Sequence, residues 1–312
     1  MGPFLNKTKL ITQPAGRPPA AIEISPEGVL AAARPASRKR GTESAHGCLH
    51  AFVPLPPGAL VPGIEEPNLR EPEAVTAAIR SALDELSPRS SAVTVVLPDT
   101  LIRVFVLDFD SLPAKPAEAV SVVRFRLRKM VPFDVERAGV SYQVLAQSET
   151  ECSVLAAVMP GPILDEYESA VRAAGYEPGA VLPSSLAALE ALDSMEAILA
   201  ANLSASAITT TIATGQKLLL YRPLDLPQDP GQRIAEIQRS IAVAAAYFED
   251  KLGARPRRLY YAGALPPGEF ANSIADPELS VVEWVSRPEE GAMTALPQMS
   301  FAGVAGALAG AS

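Results

Sequence analysis

Apolar positions recur along this chain at two periods, and their alternation with Pro, Gly and charged clusters predicts the order of elements. In "AAIEISPEGVLAAAR", residues 20–34, two short apolar runs flank Ser25-Pro26-Glu27-Gly28, the pattern of a tight hairpin. "HGCLHAFVPL" predicts a third strand. "EPEAVTAAIRSALDEL" predicts a helix, with Pro72 in its first turn and Val75, Ile79 and Leu83 on one face at i, i+4 and i+8. "SAVTVVLPD" reads as a buried strand closed by Pro98 and Asp99. The order is βββαβ.

Residues 101–182 change the pattern to βαββαβ, a split βαβ arrangement. "LIRVFVLDF" predicts a strand, and "KPAEAVSVVRFRLRKMV" a helix with Val120, Val123, Leu127 and Val131 on one stripe, stopped by Pro132. "VSYQVLAQ" and "CSVLAAVM" predict strands about the polar turn "SETE". "GPILDEYESAVRAAG" predicts a helix with Leu164, Tyr167 and Val171 inward and Gly175 as its stop, and "EPGAVLP" a last strand.

"SSLAALEALDSMEAILAANL" reads as a linking helix into a third region. There "SASAITTTIAT" and "QKLLLYRPL" predict a hairpin, and "DPGQRIAEIQRSIAVAAAYFEDKLG" a long helix. Asp229 caps that helix, Pro230 opens it, Ile234, Ile237, Ile241 and Phe248 form its stripe, and Gly253 ends it. "RRLYYAG", "PPGEFANSIAD" and "LSVVEWV" predict strand, helix and strand, and "SFAGVAGALAGA" a small-residue closing helix. The third region therefore echoes the first in element order. This predicts an α/β chain of the actin-like type: duplicated RNase H-like βββαβα halves, with a ferredoxin-like βαββαβ insertion in the first. The expected boundaries are a disordered tail over 1–19 and a first subdomain of 20–100 with 183–200 and 298–312. The insertion takes 101–182, and a second subdomain 201–297.

Composition narrows the function. The chain has 312 residues, 48% hydrophobic and 20% charged, enough for two or three compact units with a real core. The formal net charge of −8 argues against nucleic acid as a partner of the whole protein. Two cysteines, Cys48 and Cys152, are too few for a disulfide framework and fit a reducing compartment. The first residues lack the apolar core of a signal peptide, and no run of about 18 apolar residues predicts a membrane span. The expected location is the cytoplasm.

Several segments carry a resemblance: "LPPGALVPGIEEPNLREPEAVTAAIRSAL", "VTVVLPDTLIRVFVLDFDSLP", "VRFRLRKMVPFDVERAGVSYQVL", "RIAEIQRSIAVAAAYFED", "RRLYYAGAL" and "SFAGVAGALAG". In order and spacing, over residues 20–310, they resemble the type IV pilus assembly protein M (PilM) family of the actin-like ATPase superfamily. The resemblance implies a scaffold at the cytoplasmic face of the inner membrane, in a type IV pilus or related secretion platform. It implies a bitopic membrane partner (PilN-like) held by its cytoplasmic N-terminal tail, in a groove between the insertion and the first domain. Membrane association would then run through that partner; self-association is left open. A related domain in type II secretion is fused to a transmembrane helix, and the absence of such a run here favours the stand-alone pilus type.

The superfamily holds ATP through three turns, and each is altered here. Where the first phosphate turn has Asp-x-Gly, this chain has Glu23-Ile24-Ser25-Pro26, and Pro26 has no N–H to aim at an anion. Where the second has Asp-Ile-Gly, "AANLSASAITTTIATG" offers no acid and no Gly before Gly215. The adenosine turn retains one glycine of several, Gly263. Glu236 and Arg239 stand at i, i+3 where the resemblance implies an adenine clamp, or else form a solvated helix pair. The nucleotide candidates are thus Glu23, Ser25, Glu236, Arg239 and Gly263. The expectation is a pseudo-ATPase with no catalytic residue, no metal and no cofactor. The alternative is an ATPase or nucleotide-gated switch using ATP with magnesium.

Remaining clusters have bland readings. His46, Cys48 and His50 alternate onto one strand face but lack a fourth zinc ligand. Asp108 and Asp110 fit a strand edge. Arg124, Arg126, Arg128 and Lys129 form either a solvated helix face or a surface for anionic lipid or an acidic segment.

Overall fold

The computed structural model describes residues 17–34, 48–148, 150–192, 196–215, 217–263, 265–274, 276–285 and 300–309. His46 and the basic stretch 37–40 lie outside these.

The first half opens as an antiparallel meander of β1 (Ala20–Ser25), β2 (Gly28–Ala33) and β3 (Leu49–Pro54). Helix α1 (Pro72–Leu86) crosses over, burying Val75, Ile79 and Leu83, and β4 (Ala92–Leu97) pairs parallel to β1. The chain then builds a small unit from β5 (Arg103–Phe109), α2 (Pro116–Leu127), β6 (Gly139–Gln147) and β7 (Cys152–Met159). It returns through α3 (Gly161–Ala173) to β8 (Glu177–Pro183), which lies parallel to β4. The short α4 (Ser184–Leu189) leads into the second half. That half holds β9 (Ala197–Leu203), β10 (Ala207–Thr214), β11 (Lys217–Asp225), α5 (Pro230–Leu252), β12 (Arg258–Gly263), α6 (Pro267–Ile274) and β13 (Ser280–Glu283). A last helix, α7 (Ala302–Ala309), packs back on α4, β1 and β2.

The two large sheets have the same strand order: β3-β2-β1-β4-β8 and β11-β10-β9-β12-β13. In each, a three-strand meander is extended by two parallel strands reached through helices. This is the duplicated, actin-like plan that the element order predicts.

Three boundaries differ from the sequence expectation. The inserted unit is βαββ rather than βαββαβ, with sheet order β5-β7-β6. Its expected last helix and strand belong to the first half, because α3 buries Ile163, Leu164, Tyr167 and Val171 in the same core as α1. Strand β7 is shared: Val154, Ala156 and Val158 face the core under α2, while Leu155, Ala157 and Met159 enter the main core. The expected linking helix stops at Leu189, and Ala197–Leu203 is the central strand of the second sheet. Its "AILAANL" is Ala- and Leu-rich and buried on both faces. Leu199, Ala201 and Leu203 point into the second core and Ala200 into the first, which erases the alternation that marks a half-buried strand. Residues 17–19, expected to belong to the tail, are placed against the fold. Arg17 makes a two-pronged ion pair with Glu190, at 2.6 and 2.5 Å, and Pro18 packs against Gly179.

Small residues let α7 reach the first half. A Cβ on Gly306 would stand 1.9 Å from the Ala187 carbonyl oxygen of α4. Arg34, at the end of β2, donates to the Leu308 carbonyl at 2.6 Å and so satisfies the open end of α7. Gly306→Ala should force α4 and α7 apart and lower stability by about 1–3 kcal/mol. Chemical denaturation of the variant against the parent measures this.

Candidate functional site

In open α/β sheets, ligands sit beyond the carboxyl ends of the strands. Here β1, β4, β8 and β9 all end at the cleft between the two halves. Its walls include Glu23, Ser25, Asp99, Ser184, Asn202 and Ser204.

The floor of the cleft is a pair of buried carboxyls tied to two consecutive serines. Ser184 Oγ donates to Glu23 Oε1 at 2.6 Å. Ser185 donates to Asp99 twice, from its backbone N–H to Oδ1 at 2.8 Å and from its hydroxyl to Oδ2. Each network crosses to the second half. Asn202 Nδ2 of β9 donates to Ser184 Oγ at 3.1 Å, and Tyr221 Oη of β11 donates to Asp99 Oδ1 at 2.8 Å.

Burial dominates the electrostatics. It pushes the Glu23 carboxyl from the ordinary 4.5 to about 7, against the pull of the Ser184 hydrogen bond and with help from the charges of Asp99 and Glu27. Burial raises Asp99 too, despite the hydrogen bonds from Ser185, Tyr221 and Thr209. Tyr221 is raised by burial and by its carboxylate neighbour, so it stays a donor. Glu23 Oε2 has no partner among the described residues, and it lies 2.5 Å from where a Cβ on Gly303 of α7 would be.

The turns around the floor are closed by their own atoms. Ser25 pairs with Gly28 across a two-residue hairpin turn, and Ser25 Oγ donates to the Gly28 carbonyl at 3.3 Å. Gly28 is required by packing, since a Cβ there would meet Val53 O at 2.5 Å and the Phe52 ring at 2.6 Å. In the second turn Ser204 Oγ accepts from Ser206 N at 3.3 Å and Ala207 N at 3.0 Å. Those are N–H groups of the kind a phosphate would use. Arg233 donates to the Ser204 and Ala205 carbonyls, at 2.9 and 2.5 Å, and holds this turn from α5. At the third turn Leu265 N donates to Tyr261 Oη at 3.1 Å. The cleft itself is about 60 Å³, against the roughly 300–1,000 Å³ of ordinary small-molecule pockets.

Of the five nucleotide candidates, Glu23 and Ser25 meet at this cleft. Gly263 ends β12, where a Cβ would crowd Leu203 O at 2.7 Å and Tyr261 Oη at 2.6 Å, so the glycine serves the β9–β12 approach. Glu236 and Arg239 form an ion pair at 3.0 Å on α5, with Arg239 67% exposed, and neither lines the cleft. His50 is half-buried, edge-on to Phe301 at 5.5 Å, and its burial lowers its pKa. Burial raises the Cys48 thiol. Among the described residues no group of three His, Cys, Asp or Glu is placed to hold a metal ion.

Asp99, Ser184, Ser185, Asn202 and Tyr221 are site residues that the sequence reading did not single out. Two carried a signal. Leu97-Pro98-Asp99 and Leu182-Pro183-Ser184 both end a parallel strand with Pro and then a polar residue, at the edge where ligands gather. Asn202 and Tyr221 carried none, because their strands were not yet placed beside the first half.

The matching sheets around a central cleft define an actin-like fold, and solved structures agree. The chain is similar to the structure described as the PilM-PilN type IV pilus biogenesis complex, at 18% identity over 94% of this chain and 98% of that one, with a TM-score of 0.64. It is also similar to a Bacteroides thetaiotaomicron protein with an actin-like ATPase fold and unknown function, at 12% identity over 84% and 90%, with a TM-score of 0.51. No protein-family model and no curated protein matches the chain. At these identities the likeness establishes the fold, and that fold is the actin-like ATPase fold.

The floor yields two expectations. An unfolded Glu23 ionises near 4.5 and the folded one keeps its proton to about 7, so the folded state holds more protons between those values. Its contribution is fully present below 4.5 and falls away as pH rises through 7, by about 3 kcal/mol in all. Glu23→Gln should flatten that part of the stability–pH curve in denaturant titrations across this range. Tyr221→Phe removes one of the hydrogen bonds between the halves and should cost about 1–2 kcal/mol in the same assay at fixed pH.

Proposed function

We propose that this protein is a non-catalytic scaffold of a type IV pilus or related secretion platform, at the cytoplasmic face of the inner membrane, which holds the N-terminal tail of a bitopic, PilN-like membrane protein. The observation that carries the non-catalytic part is the second turn. Its Ser206 and Ala207 N–H groups are already bound to Ser204 Oγ, beside a first turn whose Pro26 has none to give. A triphosphate needs several such donors at once, and here they are already engaged within the turn itself. The platform role is supported by the likeness in fold, over nearly the whole length of both chains, to a chain solved in a PilM-PilN complex. Among the described residues no helix is long and apolar enough to cross a membrane, which fits recruitment through a partner.

Mg-ATP should leave the melting temperature unchanged. A ligand present at a hundredfold its Kd would stabilise by about 2.7 kcal/mol, a shift easily read by differential scanning fluorimetry. The N-terminal cytoplasmic peptide of a PilN-like protein from the same cell should bind and raise the melting temperature. A melting shift with Mg-ATP would restore the nucleotide-switch reading, and a peptide without effect would remove the tail-binding one.

A further inference from the structure

Helix α2 has apolar side chains on two faces. Ala119, Val123 and Leu127 are buried, the last two against Val135, Val140, Val154 and Val158. That inner stripe accounts for the packing of the helix on its sheet. On the outer side Val122 is 36% exposed and Phe125 69%. Phe125 is the most exposed large apolar side chain among the described residues, and the core under α2 does not use it.

Cations surround it. Val122, Phe125, Arg126 and Lys129 follow three- and four-residue spacing and so share a face. Arg126 and Lys129 are exposed and have no acidic partner among the described residues. The Arg128 guanidinium lies 5.3 Å from the Phe125 ring centre and also pairs with Glu136 at 2.5 Å. Glu118 on the same helix is matched by Lys115 at 3.0 Å. Arg124 is committed inward, donating to the Val135 and Ala138 carbonyls, and is not part of this face. The outer face therefore has a surplus of positive charge around an exposed aromatic ring, on a chain whose formal net charge is −8.

We infer that the outer face of α2 is a contact surface for an anionic lipid bilayer. Phe125, with Val122 on the same face, enters the interfacial layer, and Arg126, Arg128 and Lys129 meet the phosphate headgroups. Charge complementarity selects the occupant. Two apolar side chains on one helix fall well short of the roughly 1,000 Å² that a stable protein interface buries. A bilayer needs no matching surface, only shallow apolar insertion beneath a layer of cations. This contact does not depend on the partner-tail reading, because it uses the chain alone.

The test is flotation of the full chain, without partner, on vesicles of phosphatidylglycerol mixed with phosphatidylcholine and on vesicles of phosphatidylcholine alone. The parent should float with the anionic vesicles only, and less as salt is raised. Removing Arg126 and Lys129 together as alanines should lower partitioning by about thirtyfold, from the charge contribution of each near an anionic surface. Phe125→Ser should lower it further. Arg239→Ala with Arg255→Ala makes the same charge change elsewhere and should float like the parent. All four side chains are exposed, so unchanged melting temperatures will show that the variants fold. A parent that stays off anionic vesicles overturns the inference. So does an Arg126/Lys129 variant that floats undiminished, or a control pair that loses as much as the α2 pair. None of these outcomes bears on whether a partner's tail binds.

Discussion

Two carboxyl groups are buried where the two halves of this protein meet, and one serine pair at the start of α4 serves both. Ser184 holds Glu23 and Ser185 holds Asp99, while Asn202 and Tyr221 reach in from the other half. Burial is costly for a charged carboxyl, and here its main effect is to keep Glu23 partly protonated near neutrality. In an open cleft the same acids would be hydrated and ionised. The arrangement needs the halves shut, and two hydrogen bonds from the second half cross to it, from Asn202 to Ser184 and from Tyr221 to Asp99.

Around the same cleft, backbone donors of the turns already have partners within the chain. The strand ends are where a nucleotide cleft belongs, and the polar side chains are aimed into it. Yet the backbone donors are turned to local use, by Ser204 in one turn and by Tyr261 in another. A hydroxyl two or three residues away competes with an anion for the same N–H groups and is always present. Pro26 removes one donor outright.

The sequence was most legible where burial is one-sided. Helices α1 and α3 show clear stripes, α5 buries Ile237, Ile241 and Phe248 of its expected stripe while Ile234 is exposed, and the capping and stop residues are where the pattern puts them: Pro72, Asp229 and Gly253. The hairpin at Pro26-Glu27 was equally clear. Legibility failed where both faces are buried. Strand β9 lost its alternation that way, and β8 was attached to the wrong sheet because its partner, β4, lies some eighty residues earlier. The cleft was half legible. Glu23 and Ser25 stand in a turn that sequence can place, whereas Asp99, Asn202 and Tyr221 become neighbours only through the pairing of the two halves. Glu236 and Arg239 show the reverse, a spacing that fits either a site or a helix pair and that forms an ion pair on α5 away from the cleft.

Helix α7 belongs to the first half although it follows the second in sequence. Phe301, Val304 and Leu308 complete a core begun at Ala20, and the Arg34–Leu308 hydrogen bond joins residues 274 apart in sequence. The second half, by contrast, closes its own sheet within one continuous stretch. On a ribosome the order of synthesis and the order of completion therefore differ: the later-made half can finish while the earlier-made one still exposes the side of β1 and β2 that α7 covers. Loop closure over so long a span is slow relative to local pairing. The first half thus spends translation as an unfinished sheet, and it is the half that holds both buried acids.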